Sequence, residues 1–564
     1  MKMIKALVLT LLFGLAAGFA FAEGGGEEAT AVEGPQYGGT LTWSFWEWCE
    51  PTNWDVTSGS WTDTSKFLYP MYSFLVIGDT ETYGPRGTNE YAFQSHQEVP
   101  DQFLKGDLAE SWEVKESGLT FYLKKGVMYT GNDRIGMPAR ELTAEDCAYG
   151  LKHILEGPLG QGISKFVKDI YAPDKYTVQV DFNYYEFTWG AMLIYGMGSI
   201  MYPEEVIEAG GENWRNQCGT GAWIVENYTS GAGATYVRNP DYFGTTTIDG
   251  VEYETPFADK LVKPIIPDKL SMVSALRTGK IDVCQVDTQY VESLNETTPE
   301  LIVAEYVEGA MECIHPDCAD PPFDNMDVRR AMMIGMDFQS YIDTVLLGKG
   351  VANPFPPPGS PYWTAIEDMP AEDQLLFSND KELAKKMLAD AGYPDGFTVK
   401  GYFKPSQATN ANCATWAESE LKRIGITVEL VALEAAVHEA LRFSRDFDGL
   451  YFRSDANGAT TELPQRKTEC ASLASSWNNA EFDVMLDKAQ KMVDVEARTA
   501  LLKEAAMLFI HEVGNINMPA KYNYKFWWPW VNNYYGEEEL GYANQQPCID
   551  TTWLDLSMKK EMGY

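Results

Sequence analysis

The stretch from Cys413 to Leu430 encodes a helix, a stop and a strand in immediate succession. Apolar residues recur at helical spacing over Cys413–Ile424, Gly425 ends the run, and Ile426-Thr427-Val428-Glu429-Leu430 alternates as a strand does. A helix followed at once by a strand buries its apolar face in layers, which points to the α/β class. Similar signals recur along the chain. Thr143–Leu155 reads as a helix with Thr143 as cap, Asp146 at the third position, and Cys147, Leu151, Ile154 and Leu155 on one face. Asn379–Ala391 reads as a helix capped by Asn379 and closed by Gly392, Asp327–Leu347 as helical throughout, and Phe482–Val513 as one or two helices. Strands are expected over Thr40–Phe45, over Ser111–Val114 paired with Leu119–Leu123, and over Tyr176–Phe182. Pro354–Pro358 reads as an extended spacer and the tail from Lys521 as an aromatic loop. At 564 residues the chain exceeds one ordinary core, so more than one lobe is expected.

Lys2 and Lys5 precede an apolar run from Ala6 to Ala22 that closes on Ala20-Phe21-Ala22, with acidic Glu23 behind it. This is the pattern of a secretory leader, so residues 1–22 are expected to be removed and 23–36 to act as a flexible tether. No cysteine stands near that junction, so the expected product is periplasmic and carries no lipid. A formal charge of −38 repels phosphate backbones and anionic lipid headgroups, which argues against nucleic-acid partners. Aromatic residues make up 13% of the chain, more than cores need, and some of these rings are expected at a ligand site.

Nine cysteines permit disulfides in an exported chain, with at least one left over. Cys313-x-His315-x-x-Cys318 is the tight cluster; it reads as a disulfide or thiol loop rather than a metal site, because structural zinc wants four ligands. His438-Glu439 and His511-Glu512 lack the second histidine of a zincin helix, and GxSxG and GxxxxGK[ST] are both absent. No signature supports catalysis, and no cofactor is expected.

Several ordered segments together resemble the family 5 extracellular solute-binding proteins, the oligopeptide, dipeptide and nickel-binding class that serves ABC importers. They are Gly38-Gly39-Thr40-Leu41; Asp107-Leu108-Ala109-Glu110-Ser111-Trp112; Leu119–Gly126; Leu142-Thr143-Ala144-Glu145-Asp146; Gly219-Thr220-Gly221 with Arg238-Asn239-Pro240-Asp241-Tyr242; Leu276–Asp282; Val328-Arg329-Arg330-Ala331; and Ala389–Phe397. Two features depart from the pattern: Gly219-Thr220-Gly221-Ala222-Trp223 stands where GTGPY is usual, and the lipoprotein cysteine is missing.

The resemblance implies a type II periplasmic-binding-protein clamp of two closing lobes plus an inserted domain. It places domain I at 37–72, 200–305 and 521–564, domain II at 73–199 and domain III at 306–520. It implies capture of short peptides in the cleft between I and III, delivery to a permease with its ATPase subunits, and a monomeric protein that is not an enzyme. The alternative is a β-linked oligosaccharide stacked on tryptophan; a nickel chelate is a poorer fit with only five histidines.

In peptide-binding members a domain III aspartate pairs with the peptide's ammonium, and Asp455 is the nearest match here, two residues adrift. Its other reading is a turn-forming residue before Ala456-Asn457-Gly458. Arg453 reads either as the receiver of a ligand carboxylate or as half of an internal ion pair. Trp46, Glu47, Trp48 and Glu50 form an aromatic and acidic wall to the cleft, or pack against domain III. Tyr522 and Tyr524 are similarly placed near the last crossover.

Overall fold

Four sheets organise the chain in a computed structural model that describes residues 34–44, 50–57, 61–93, 99–157, 160–195, 199–358, 360–456, 463–467, 474–538, 540–541 and 544–564. Gln36–Tyr564 forms one unit. The first sheet has the order Thr40–Thr42, Lys260–Pro264, Gly233–Arg238, Trp223–Thr229. The second sets Ala520–Trp527 between Val283–Val286 and Ile302–Val307, and Trp43 bridges to Val283. The third is the antiparallel set Ala109–Lys115, Gly118–Leu123, Thr177–Phe182, Val167–Asp174. The fourth is mixed, running Ile426–Ala432, Phe397–Phe403, Gly449–Ala456, Ala310–Pro316, Ile516–Asn517.

Local signals account for many of these elements. Val114 pairs with Leu119 and Lys115 with Gly118, closing the expected hairpin. The helix Ala144–Glu156 starts where its cap predicts: the Asp146 carboxylate accepts from the Thr143 amide and hydroxyl, both at 2.8 Å. Cys147 is wholly buried on its inner face. Gly425 takes φ +99 after the helix Ala408–Lys422, the left-handed stop that a residue with a Cβ adopts at a cost. That helix begins a turn earlier than Cys413 because Ala408–Asn412 carries no apolar periodicity to reveal it.

Three expectations are corrected. The helical stretch from Asp327 is two helices, Met326–Gly335 and Phe338–Thr344, because Met336 turns extended and Asp337 caps the second by accepting from the Ser340 amide. The helix Lys381–Asp390 is capped by Asp380 rather than Asn379, which sits at φ +55 one position early. The tail is a central strand instead of a loop. Ala520–Trp527 alternates tyrosine and phenylalanine with lysine and asparagine, and wholly buried Lys525 is matched by buried Glu538 at 2.9 Å. That pairing lets a lysine-bearing strand run through a core.

Gly219 and Gly221 press on the backbone at Met71. A Cβ on Gly219 would stand 1.9 Å from the Met71 carbonyl oxygen, so these glycines serve close packing rather than anion binding. Among the described residues no helix is long and apolar enough to cross a membrane.

Candidate functional site

Strand pairing places several side chains at the cavity between the second and fourth sheets. The Ala310–Pro316 strand pairs antiparallel with Gly449–Ala456, setting Glu312 opposite Ser454 and Met311 opposite Asp455. Successive side chains point to opposite faces, so Glu312 and Ser454 share one face while Cys313, His315, Arg453 and Asp455 share the other. The first face opens on a cavity of about 500 Å³. Its walls come from two sides: Lys269, Asp287 and Lys521 flank the second sheet, while Glu312, Ser454 and Asn412 belong to the fourth sheet and its helices. Lys269 Nζ pairs with Asp287 at 2.5 Å and Lys521 with Glu308 at 3.0 Å. Glu312 is 7% exposed, and its Oε2 accepts from Asn410 Nδ2 at 2.9 Å. Burial pushes its carboxyl up; the Asn410 and Thr409 hydrogen bonds pull it down without cancelling that, and the charges of Asp455 and Glu308 add to the rise.

Asp455 faces away from the cavity into a buried ionic cluster. Arg466 donates to its Oδ2 at 2.5 Å, Arg453 Nε lies 2.9 Å from Oδ1, and His315 Nε2 lies 3.1 Å from Oδ2. Burial would raise this carboxyl, but the Arg466 and Arg453 charges outweigh it and, with His315, hold it well below the usual range. Burial pushes the His315 imidazole down instead. Asp455 is therefore a strand residue in an ion network rather than a turn former, and Arg453 stands in an internal ion pair. The Cys313 thiol and His315 meet Asp455 with their ligand atoms within 4.8 Å, while Cys318 is turned away, its Sγ donating to the Pro316 carbonyl. Two guanidinium groups already supply the positive charge that a metal cation would bring to this carboxylate. Cys147, Cys218, Cys313, Cys318 and Cys413 are free thiols.

The other expected residues are placed as follows. Trp46, Glu47 and Trp48 lie outside the described residues. Glu50 accepts from Tyr228 Oη at 3.0 Å, Ser230 Oγ at 2.6 Å and the Gly231 amide at 2.9 Å. It thereby ties down the hairpin between Trp223–Thr229 and Gly233–Arg238. Tyr524 Oη donates to Glu305 across the second sheet at 2.7 Å, and the Tyr522 amide donates to the Lys349 carbonyl. Neither tyrosine lines the cavity; their strand neighbour Lys521 does. Sequence reasoning missed Glu312, although one signal was available: a lone acid inside the apolar run Ala310-Met311-Glu312-Cys313-Ile314.

A sequence profile of the bacterial extracellular solute-binding proteins, family 5 (middle region), matches residues 104–505. The chain belongs to this family. Its relatives include heme-binding protein A of Haemophilus influenzae, 26% identical over 72% of this chain and 78% of the relative. Di/tripeptide-binding protein 2 of Pseudomonas aeruginosa is 28% identical over 72% of this chain and 79% of its own length. Two solved family structures share the fold at 20% identity. HbpA2 of Haemophilus parasuis gives a TM-score of 0.74 over 92% of this chain and 100% of its own. The periplasmic binding protein DppA of Helicobacter pylori, in complex with the peptide STSA, gives 0.67 over 92% and 99%. The fold is thus the type II periplasmic-binding-protein fold, and the named relatives are binding proteins rather than enzymes.

Proposed function

We propose that this family 5 protein captures short peptides outside the cytoplasm and delivers them to the permease and ATPase subunits of an ABC importer, acting as a monomer. The observation that carries the reading is the cavity of about 500 Å³ between the second and fourth sheets, inside the range of about 300–1,000 Å³ usual for small-ligand sites. Its lining suits a zwitterionic amide chain. Thr288, Gln289, Gln407, Thr409, Asn412 and Ser454 offer side-chain donors and acceptors for main-chain groups, and charges of both signs stand at its edges. Tyr341 is the only aromatic ring among the described lining residues. The peptide names of relatives agree with this reading; the oligosaccharide alternative draws no support from the same relatives.

The three-domain division carries over as part of the proposal: the first sheet and most of the second fall in domain I, the third in domain II and the fourth in domain III. A ligand touching both I and III stabilises the closed arrangement and shifts the population toward it. The Asp455 network is assigned the role of holding the strand that presents Ser454, and Trp46, Glu47 and Trp48 remain the proposed domain I wall. The mature protein is proposed to begin near Glu23, periplasmic and without lipid, which intact mass of exported protein checks. Calorimetry with di- and tripeptides against cello-oligosaccharides, paired with small-angle scattering, tests the function. Peptide binding with compaction supports it; sugar binding alone, or no compaction at saturating peptide, overturns it.

A further inference from the structure

On the proposed division, the inserted domain II enters and leaves through domain I, and polar contacts fix it there. Arg140 pairs with Glu205 at 2.9 Å, and the Thr130 amide donates to the Gly219 carbonyl at 3.0 Å. No chain connection runs from domain II to domain III, yet the two touch. Arg498, near the start of the helix Val495–His511, is 3% exposed and reaches across to domain II. Its Nη2 donates to Asp101 Oδ2 at 3.1 Å, and its Nη1 donates to Tyr185 Oη at 3.4 Å. The guanidinium carbon stands 5.1 Å from the centre of the Phe187 ring. Beside it the Phe187 amide donates at 3.1 Å to the carbonyl of Gln490, the last residue of the helix Ala480–Gln490. A carbonyl at that position has no donor within its own helix. The helix does not explain where Arg498 sits, because the N-terminal end of a helix disfavours a cation. The explanation lies across the contact, in the Asp101 carboxylate and the Phe187 ring.

We infer that this contact is a closure latch outside the ligand cavity, an inference that rests on the peptide-driven closure proposed above. Because domain II travels with domain I, the meeting of Arg498 with Asp101, Tyr185 and Phe187 forms as domain III closes and is lost as it opens. The chemistry suits a contact that has to be reversible. The Asp101 side chain keeps 26% of its surface exposed, and on opening water takes up both charges and both backbone groups. The Met492 carbonyl accepts from Arg498 Nη1 at 3.0 Å, so the guanidinium is held from its own side and stays aimed when the contact parts. A void of about 20 Å³, room for one water, lies between Tyr195 on one side and Tyr362 and Arg498 on the other, so this junction is not packed as a core is. The latch favours the closed state without touching the ligand. It therefore sets affinity and release rather than which ligand binds.

The test uses the full chain, with the best-bound tripeptide of an equimolar set, picked out by native mass spectrometry, as the probe. Calorimetry reads its affinity and stopped-flow tryptophan fluorescence its release. Asp101→Asn and Arg498→Met should each weaken binding about ten-fold, through faster release. The double variant should be no weaker than the single ones, because both changes break the same contact. The melting temperature of each unliganded variant should match wild type, since the open form lacks the latch. Wild-type affinity in both variants, or losses that add in the double variant, would overturn the latch while leaving peptide capture standing. A lower unliganded melting temperature with unchanged affinity would mean a permanent joint, and overturns it too. Failure of wild type to bind any tripeptide would remove the peptide reading and this inference together. If R498M does not fold, D101N decides by its affinity and release rate.

Discussion

Glu312 and Ser454 stand directly opposite one another across the Ala310–Pro316 and Gly449–Ala456 strands, and both line the cavity. Their strand neighbours, Met311 and Asp455, are paired one step along. One residue of register thus separates a carboxylate that faces the ligand space from one committed to internal arginines.

Asp455→Asn should destabilise the protein. It leaves Arg453 and Arg466 without their counter-charge in a buried site, a loss of about 3–5 kcal/mol for a broken buried pair. Urea denaturation of unliganded protein measures it. Unchanged stability with weakened peptide binding would instead put Asp455 within reach of the ligand.

Ser454→Trp should abolish tripeptide binding while leaving the unliganded melting temperature nearly unchanged, because the ring enters ligand space rather than packed core. Retained affinity by calorimetry would place the peptide elsewhere.

Gly219→Ala should cost about 1–3 kcal/mol, the range for overpacking a tight contact. The new Cβ would meet the Met71 carbonyl oxygen at 1.9 Å, and backbone has to move to admit it. A variant as stable as wild type in urea would contradict the contact.

Asp550 makes stability depend on pH. Burial pushes its carboxyl up to about 7, although Gln546 and the Trp223 indole, which donates at 2.7 Å, pull it down. A folded-state value above the unfolded one means that the protonated form is favoured on folding. The contribution is full below about pH 4 and lost as pH rises to about 7, amounting to a few kcal/mol at about 1.4 kcal/mol per unit. Asp550→Asn should therefore gain stability relative to wild type at pH 8 compared with pH 4. Parallel stability–pH curves for the two proteins would contradict this.

Local signals were legible in the sequence and long-range ones were not. The Thr143 and Asp146 cap and the Gly425 stop act within a turn of chain, so they can be read directly. The break at Met336 depends on Asp337 outcompeting helix continuation, and apolar spacing does not show it. The tail strand escaped notice because its lysine is buried against Glu538, thirteen residues further on. Asp455 was identified by resemblance, yet its facing follows from register with Ala310–Pro316, more than a hundred residues earlier in the chain.

Amide hydrogen exchange of the full chain, with and without saturating tripeptide mixture, tests the central claim most directly. Peptide capture in this cavity predicts slowed exchange at 287–289, 308–312, 407–412 and 519–521, on both sides of the space. No change on adding peptide, or protection confined to segments away from those walls, would contradict it.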